Sequence, residues 1–560
     1  MSSQRHREKK VVEFLYVPTS KETTSSVWIN DDIRPLPPRR RTWNVYAFLS
    51  FWAINQIALS NWQSGSSLVA FGLSVWQTVI AVIVGKIIIA AVAVFNGFVG
   101  AEWHIGFPVY SRVVWGIYGS YLALLQRILL SVVWFAVQSW TGGLCVTAIL
   151  ASIFSGFHRM ENTFPESAHM TTKQFTGWVV YNVLTIPILY LPPERTKRLF
   201  YVMNSISFIT LVGMTIWALT AAHGAGPLLT QPSTTSSSSE LGWSIVNGIT
   251  TVVGGIAVGL TNQPDYSRFA TKPGDQVFGQ WFSIILLGSI MPTLGCLVSS
   301  ATQKIYGVAL WNPPDVALMW LEADYNAKSR AGAFFAGTGL VVCQLAINTI
   351  DNAFSAGMDL SGLLPKFINI RRGAYIGLVI SIALCPWELL SSAGTFINVL
   401  SAYSVFLGPM CGMMISEYWV VRSRKIKLSD LYHPRPEGIY YFWHGINPRA
   451  FAAWVVGFAP QLPGFVNAIN PSIPVPQACV KLYNLAYPLG FAISFVVYVL
   501  ISKVFPPPGL GEIDDVDQFG TFSLEEAERM GVVPAEDRVF AEFKDEEKAA
   551  SREDKYQNAV

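Results

Sequence analysis

The chain has 560 residues, of which 51% are hydrophobic and only 13% are charged, and its mean hydropathy is +0.38. Because soluble domains carry about 25% charged residues, this composition excludes an ordinary soluble protein and indicates one that crosses the membrane several times. The formal net charge of +3 is too small to indicate nucleic-acid binding, and no basic stripe interleaved with aromatic residues occurs.

Polar segments begin and end the chain. Residues 1 to about 43 carry many basic side chains and end in Arg39, Arg40 and Arg41, directly before the first apolar run. Because the cytoplasmic ends of membrane spans are rich in Lys and Arg, we expect this tail to be cytosolic. Residues 506–560 mix acidic and basic side chains, which predicts a cytosolic and largely disordered tail. That tail is either plainly solvated or a surface for trafficking or ubiquitination machinery.

Between the tails, twelve apolar runs have the length of about 20 residues that a helix needs to cross a bilayer. They lie near 45–72, 74–97, 114–141, 174–192, 199–221, 243–266, 277–299, 331–356, 372–390, 393–417, 449–468 and 484–505. Lys and Arg concentrate in loops that lie inside in this arrangement, namely 195–198, 268–272, 366–372 and 422–427. The sequence therefore predicts an all-α membrane protein with a twelve-span domain at 44–505 and both termini cytosolic.

The sixth run contains a candidate helix break. It reads GGIAVGLTNQPDYSRFATKP, and it places Asn262, Pro264 and Asp265 where another helical turn would continue. Proline removes a backbone hydrogen bond, and polar neighbours cannot face lipid, so such a break requires protein or a water-lined cavity around it. In transporters, broken helices near mid-membrane hold substrate and coupling ions. The alternative is a proline kink near a helix end.

The first run has its own candidate break at SNWQSGSSLVAFG, where polar and small residues, including Asn61 and Gly65, interrupt the apolar pattern. Small residues also let helices pack closely, which is the alternative interpretation. The two candidate breaks are five runs apart, as expected for a five-plus-five inverted repeat with a site between the halves. This arrangement puts repeat one near 44–222, repeat two near 243–417, and two additional helices near 449–505.

The third run carries an aromatic residue and an amide on one helix face. Trp134 and Gln138 are four residues apart, so their side chains point the same way. An indole can stack on a flat heterocycle while an amide both donates and accepts hydrogen bonds at its edge. The alternative is an interfacial tryptophan beside an amide that links two helices.

The eighth run contains an ionisable residue among apolar ones. Asn348, Asp351 and Asn352 lie within one predicted helix, with the two asparagines on one face and Asp351 about a quarter-turn away. An ionisable group at that depth is a functional candidate. Asp351 is either a proton carrier or the partner of a neighbouring cation such as Arg127 or Lys86.

The sequence offers no pattern for catalysis or for metal binding. The seven histidines lie mostly in tails and loops, the six cysteines are scattered through apolar segments, and neither HExxH, CxxC nor paired-carboxylate spacing occurs. We therefore expect a protein that is not an enzyme and that holds no cofactor or metal.

Several motifs in one order resemble the nucleobase-cation-symport-1 family, above all its fungal branch of uracil, allantoin and uridine permeases. They are RPLPPRRRTW, HIGFPVYSRVVWGIYGSY, WFAVQSWTGG, TNQPDYSRFATKP, NAFSAGMDLSGLLPKFINIRRGAYI and LCPWELLSS, and the resemblance runs from about residue 30 to 505. It implies a LeuT-like fold with five-plus-five inverted repeats plus two helices. It also implies import by proton symport across the fungal plasma membrane.

The resemblance assigns roles to individual residues. The family's stacking aromatic and its amide partner on the third span match Trp134 and Gln138, and the binding asparagine of the eighth span matches Asn352. Backbone at Gly255 and Ile256 is expected to line the site. The aromatic residue that the bacterial hydantoin transporter has on its sixth span is absent here, because Ile256 stands near that position.

Other positions depart from the family pattern. The bacterial sodium site uses hydroxyl side chains where this chain has Ala346 and Ile347, so sodium coupling is not expected. Asp351 stands where the family usually has a small or neutral residue, which affects either coupling or specificity. Ala58 and Ser60 stand where uracil and allantoin permeases tend to carry asparagines, so the ligand stays open.

These observations predict a proton-coupled importer of uracil, allantoin, uric acid or uridine that works by alternating access. The first alternative is a carrier of thiamine, nicotinamide riboside or a hydantoin. The second alternative is a nutrient sensor that binds without transporting.

Overall fold

The computed structural model describes residues 16–17, 28–191, 197–229, 231 and 237–535, and across these ranges the regular secondary structure is helical, without a strand. The all-α prediction is confirmed. The helices of the first half are α1 Val45–Gln56, α2 Leu59–Ala70, α3 Val75–Trp103, α4 Phe107–Trp115, α5 Ser120–Ile153, α6 Ser155–His158, α7 Thr172–Leu189 and α8 Lys197–Ala221.

The second half repeats the alternation of long and interrupted helices. Its helices are α9 Ser238–Gly254, α10 Ala257–Thr261, α11 Gln263–Ser267, α12 Asp275–Tyr306, α13 Pro313–Ala323, α14 Ala327–Leu363, α15 Ile370–Ile382, α16 Pro386–Leu389, α17 Ala393–Val421, α18 Ser429–Tyr432, α19 Pro448–Ile469, α20 Gln477–Asn484, α21 Ala486–Val504 and α22 Leu524–Met530. Three long helices contain a π-helical turn, at Ser283–Leu287, Asn348–Phe354 and Glu417–Val421.

Within the described residues, 8 helices are long and apolar enough to cross a membrane, judged by length and composition. They are α3, α5, α8 from Tyr201 onward, α12, α14, α17, α19 and α21. The predicted spans near 45–72 and 243–266 are interrupted helices, and those near 174–192 and 372–390 form α7 and α15, which do not reach the same length or apolarity. The count of twelve spans stays a prediction.

The first predicted span breaks earlier than expected. Helix α1 ends before Ile57 and Ala58, whose backbone leaves the helical region at φ −89°, ψ 51° and φ −115°, ψ 154°. The stretch 60–67, expected to be the break, is helical. Gly65 lies inside α2, where an added Cβ would be 2.5 Å from the carbonyl oxygen of Pro292 on α12. Glycine at this position therefore permits close helix packing, which was the alternative interpretation.

The sixth predicted span is interrupted twice. Helix α9 ends at Gly254, and α10 begins after Gly255 and Ile256; a second interruption at Asn262 separates α10 from α11. The second interruption lies in the stretch that the sequence indicated. The first one carries no proline, and both interruptions line the interior cavity described below, through Gly255 and Ile256 and through Asn262.

The C-terminal segment corrects the expectation of a largely disordered tail. Phe522, Ala527 and Val532 are at most 5% exposed, and Glu526 on α22 makes an ion pair of 2.7 Å with Arg41 of the N-terminal segment. Apolar side chains between the acidic ones let residues 506–535 pack on the helical domain. Residues 536–560 lie outside the described part of the chain.

Candidate functional site

A cavity lies between the two interrupted segments and the long helices α5 and α14. Its walls come from α1, α2, α5, α9, α10, α11, α14 and α17, and its free volume is about 70 Å³. Backbone freed at the helix breaks lines part of the cavity.

One wall is the face of α5 that carries Trp134 and Gln138. Both residues line the cavity, as the four-residue spacing predicted. Gln344 on α14 donates a hydrogen bond of 2.7 Å from Nε2 to Oε1 of Gln138. Because this bond occupies the amide oxygen, and no acceptor among the described residues takes the amide hydrogens, Gln138 offers a donor to a ligand.

The π-helical turn of α14 forms the wall next to α5. It turns both Asp351 and Asn352 toward the cavity, whereas regular α-helical spacing predicted that they diverge by about a quarter-turn. Asn352 donates 2.9 Å from Nδ2 to Oδ1 of Asn348, and its own Oδ1 has no donor in the described part of the chain. Asn352 therefore offers an acceptor. Wide turns of this kind occur frequently at functional sites.

Asp351 is held by a neutral amide. Asn55 on α1 donates from Nδ2 to Oδ2 of Asp351. Neither of the expected cationic partners contacts it directly, because Arg127 makes its ion pair of 2.6 Å with Asp359 and Lys86 donates to amide oxygens instead. Within the described residues, Asp351 thus lies in the cavity without a Lys or Arg within 4.0 Å.

The backbone expected to line the site borders this cavity. Gly255 and Ile256 form the interruption between α9 and α10, and both contribute to the cavity wall. Ile256 supplies no aromatic ring. The rings that face this region come instead from Phe51 on α1 and Tyr266 on α11, whose centroids are 4.4 Å apart, and neither was singled out from the sequence.

Side chains satisfy the backbone that the second interruption exposes. With its amide oriented to suit its neighbours, Asn262 donates to the carbonyl oxygens of Val258 at 3.1 Å and Gly259 at 3.0 Å and accepts from Arg127 at 3.2 Å. Asn96 on α3 donates 2.7 Å to the carbonyl of Leu260. Because these carbonyls are bonded inside the protein, the break can exist at membrane depth.

Three predicted residues lie outside the cavity. The carboxylate of Asp265 accepts from the backbone N–H of Phe107 at 2.8 Å and borders a separate small cleft. The carbonyl oxygen of Pro264 would be 2.6 Å from a Cβ added to Gly100, so this proline packs against α3. Gly65 packs against α12, as described above. Asn61, in contrast, lines the cavity next to the first break.

The positions that the family resemblance matches to sodium ligands carry hydrocarbon side chains. Ala346 is buried and Ile347 lines the cavity. No group of three or more His, Cys, Asp or Glu side chains that could hold a metal ion occurs in the ranges that the structure describes. The polar chemistry of the cavity thus comes from amides, hydroxyls and the carboxylate of Asp351.

Comparison with known sequences gives one family. The model of permeases for cytosine/purines, uracil, thiamine and allantoin matches residues 35–490. The transporter aclS of Aspergillus oryzae is 51% identical, over 91% of this chain and 92% of its own length. In Saccharomyces cerevisiae, the uracil permease is 33% identical over 86% of this chain and 77% of its own length, and the thiamine transporter 32% identical over 96% and 89%.

A solved structure has the same fold. The inward-facing conformation of Mhp1 superposes with a TM-score of 0.69 at 19% identity, covering 91% of this chain and 99% of its own. A second Mhp1 structure, described as that of a nucleobase-cation-symport-1 family transporter in a closed conformation with bromovinylhydantoin bound, gives a TM-score of 0.64 at 20% identity. At this identity the likeness shows the fold, which is LeuT-like, as predicted.

Proposed function

Since the chain belongs to the nucleobase-cation-symport-1 family of permeases, we propose that it imports a flat, nucleobase-like heterocycle, such as uracil, allantoin, uric acid or uridine, together with a proton. The chain is a multi-pass membrane transporter and not an enzyme. We place it in the plasma membrane with both tails in the cytosol, where trafficking or ubiquitination machinery has access to them.

The observation that carries this proposal is the set of groups converging in the cavity. Trp134 presents a ring for stacking, Gln138 a free amide donor and Asn352 a free amide acceptor. A ring amide or imide has a donor and an acceptor on adjacent edge atoms, so these two amides can bond it while the indole covers its face.

Alternating access follows from how the walls are built. The interrupted segments α1–α2 and α9–α11 form one side of the cavity and the long helices α5 and α14 the other. Rocking of one side against the other opens the cavity to each face of the membrane in turn. A proton that accompanies the substrate gains about 2.3 kcal/mol per 100 mV of membrane potential.

We assign the proton to Asp351. Its carboxylate lies in the cavity, bonds a neutral amide of Asn55, and has no Lys or Arg within 4.0 Å in the described part of the chain. Protonation neutralises the carboxylate, and a neutral group costs less free energy than a charged one when the transporter changes conformation within the membrane. The hydrocarbon side chains of Ala346 and Ile347 support a proton rather than sodium as the coupling ion.

The same carboxylate favours a second candidate, a positively charged heterocycle such as thiamine or nicotinamide riboside. Asp351 would be its countercharge, and the rings of Phe51 and Tyr266 would attract a cation through their faces. The yeast relatives described as transporters of thiamine and nicotinamide riboside are each 32% identical to this chain.

Uptake into cells that lack their own carriers tests the proposal. The panel contains uracil, allantoin, uric acid, uridine, thiamine and nicotinamide riboside, each radiolabelled and assayed at acidic and neutral external pH, with and without an uncoupler. We expect one neutral heterocycle to accumulate at acidic pH and to be lost with the uncoupler. Uptake of only the two cations would select the second candidate, and binding without uptake would indicate a sensor.

A further inference from the structure

Lys86 is a buried cation that the transport model above does not use. It lies in the middle of α3, a helix long and apolar enough to cross the membrane, and it is 1% exposed. No carboxylate lies within 4.0 Å of its ammonium group in the described part of the chain. Nζ donates 2.8 Å to Oε1 of Gln56 and 2.7 Å to Oδ1 of Asn61. A charged side chain at membrane depth costs free energy, so Lys86 is a functional candidate.

The ammonium group begins a chain of hydrogen bonds that ends at Asp351. Lys86 donates to the amide oxygen of Gln56, the amide nitrogen of Gln56 donates 2.9 Å to Oδ1 of Asn55, and the amide nitrogen of Asn55 donates to Asp351. Every donor points the same way, from the cation to the carboxylate. Bonds aligned in this manner polarise one another in a low-dielectric interior.

The same group joins the two sides of the first helix break. Gln56 is the last residue of α1 and Asn61 lies in the first turn of α2, so Lys86 bonds one side chain from each. Asn61 also donates to the backbone carbonyls of Asn55 at 3.0 Å and Gln56 at 3.2 Å. Carbonyls left open where α1 ends are thereby satisfied inside the protein.

Helix α12 leaves room for this arrangement. A Cβ added to Gly288 would be 2.5 Å from Oε1 of Gln56 and 3.0 Å from Cδ of Lys86. Only a residue without a side chain fits there while both groups keep their positions. The cluster is therefore enclosed by packing on the side of α12, and its geometry is fixed.

We propose that Lys86 is a positioning residue for coupling: at the break of the first helix, its ammonium form acts through the amides of Gln56 and Asn55 to favour the ionised form of Asp351. Protonating Asp351 removes the negative charge at the far end of the chain and weakens the acceptor there. That loss loosens the hold of Lys86 on the break and lets α1 move against α2. This inference rests on the proposed function, in which Asp351 carries the proton.

Other ionisable side chains face this part of the bundle. They are Tyr266 and Asp265 on α11, Tyr181 on α7, Tyr403 on α17, and the ion pair of Arg127 on α5 with Asp359 on α14. Tyrosines stay neutral over the range in which a carboxyl group titrates, and the ion pair carries no net charge. Asp265 is bonded to the backbone N–H of Phe107 and borders a separate cleft. Among the ionisable groups named here, Lys86 is thus the cation without a carboxylate partner, and its removal should change the titration of Asp351.

Infrared titration of the purified protein in lipid nanodiscs tests this without any substrate. The carboxylic acid C=O band that is missing in Asp351→Asn reports protonated Asp351. Because a cation favours the ionised carboxylate, Lys86→Met should move the midpoint of this band upward by about 0.5 to 1 pH unit. Lys86→Arg should leave it near the wild-type value. Lys304→Met is the matched control, since Lys304 donates to the backbone carbonyl of Ala222 outside the cavity.

A second variant keeps the test decisive if Lys86→Met does not fold. Gln56→Leu retains the lysine and removes the first amide, and it should raise the midpoint as well. A midpoint equal to that of the wild type in either variant would overturn the proposal, as would an equal shift in Lys304→Met. The infrared readout does not depend on transport. An unchanged midpoint would therefore overturn only the role of Lys86, whereas a lack of uptake across the panel would overturn the proposed function.

Discussion

Replacing Trp134 by alanine separates ligand stacking from packing. Stacking of a base on an aromatic side chain contributes about 1–3 kcal/mol. Since about 1.4 kcal/mol is a factor of ten, Trp134→Ala should raise KM about 5- to 150-fold. Trp134→Phe keeps a ring and should lie between the wild type and alanine. Initial uptake rates, normalised to the amount of protein at the cell surface, measure both variants.

Trp140 is the matched control on the same helix. It is 3% exposed, compared with 6% for Trp134, and its ring packs on Trp387 at 5.8 Å rather than on the cavity. Trp140→Ala loses a similar amount of packing, so it should reduce the amount of protein while leaving KM within about twofold. If Trp134→Ala keeps a wild-type KM, or if both alanine variants raise KM equally, the stacking role is refuted.

Three further predictions concern coupling, packing and the C-terminal segment. Asp351→Asn should make uptake independent of external pH between about pH 5 and 8, because the group that titrates is gone; a wild-type pH profile would contradict the proton assignment. Gly65→Ala should lower the thermal stability of the purified protein, since its Cβ would be 2.5 Å from the oxygen of Pro292, whereas unchanged stability would show that α2 can shift. Burial by itself raises the pKa of Glu526, but the nearby His104 ring and the charge of Arg41 hold that pKa below its usual range. The contribution of Glu526 to docking is therefore present above about pH 4.5 and is lost only as the pH falls further. At neutral pH, Glu526→Gln should therefore speed hydrogen exchange across Leu524–Met530, and equal exchange rates in the two proteins would remove the ion pair as the cause of docking.

Helix spacing could identify the best-defined wall of the site. Trp134 and Gln138 are an aromatic residue and an amide four positions apart in an apolar run, and regular α-helix places both in the cavity. The same rule placed Asp351 away from Asn352, because it assumes about 100° per residue. A π-helical turn advances less per residue, and nothing in the composition of Asn348–Phe354 distinguishes it from α-helix.

The positions of the helix breaks depend on tertiary contacts that spacing does not encode. Residues 60–67 are rich in serine, yet α2 is continuous there. The hydroxyl groups of Ser64 and Ser66 donate to the helix carbonyls of Asn61 and Trp62 at 2.7 and 3.0 Å, so they are satisfied within the helix. The break falls instead at Ile57 and Ala58, two apolar residues. Its carbonyls are bonded by Asn61, whose polarity in an apolar run was the visible signal.

Asn55 and Gln56 show what a run-by-run interpretation leaves out. The sequence named Lys86 as a candidate partner of Asp351, but the link between them passes through the amides of Gln56 and Asn55 and joins three separate segments. Only the packing of α1, α3 and α14 brings these groups together. Buried amides in the first span are therefore candidate site residues in the same way as buried charged residues.

Proton movement that accompanies the substrate is the most direct test of the central claim. The purified protein is reconstituted in liposomes that contain a pH-sensitive dye, and the heterocycle that the uptake panel identifies is added outside. The account predicts acidification of the lumen with the wild type and none with Asn352→Ala, in which the cavity has lost its free acceptor. Accumulation of the substrate without any change in lumenal pH, or a wild-type response from Asn352→Ala, would contradict it.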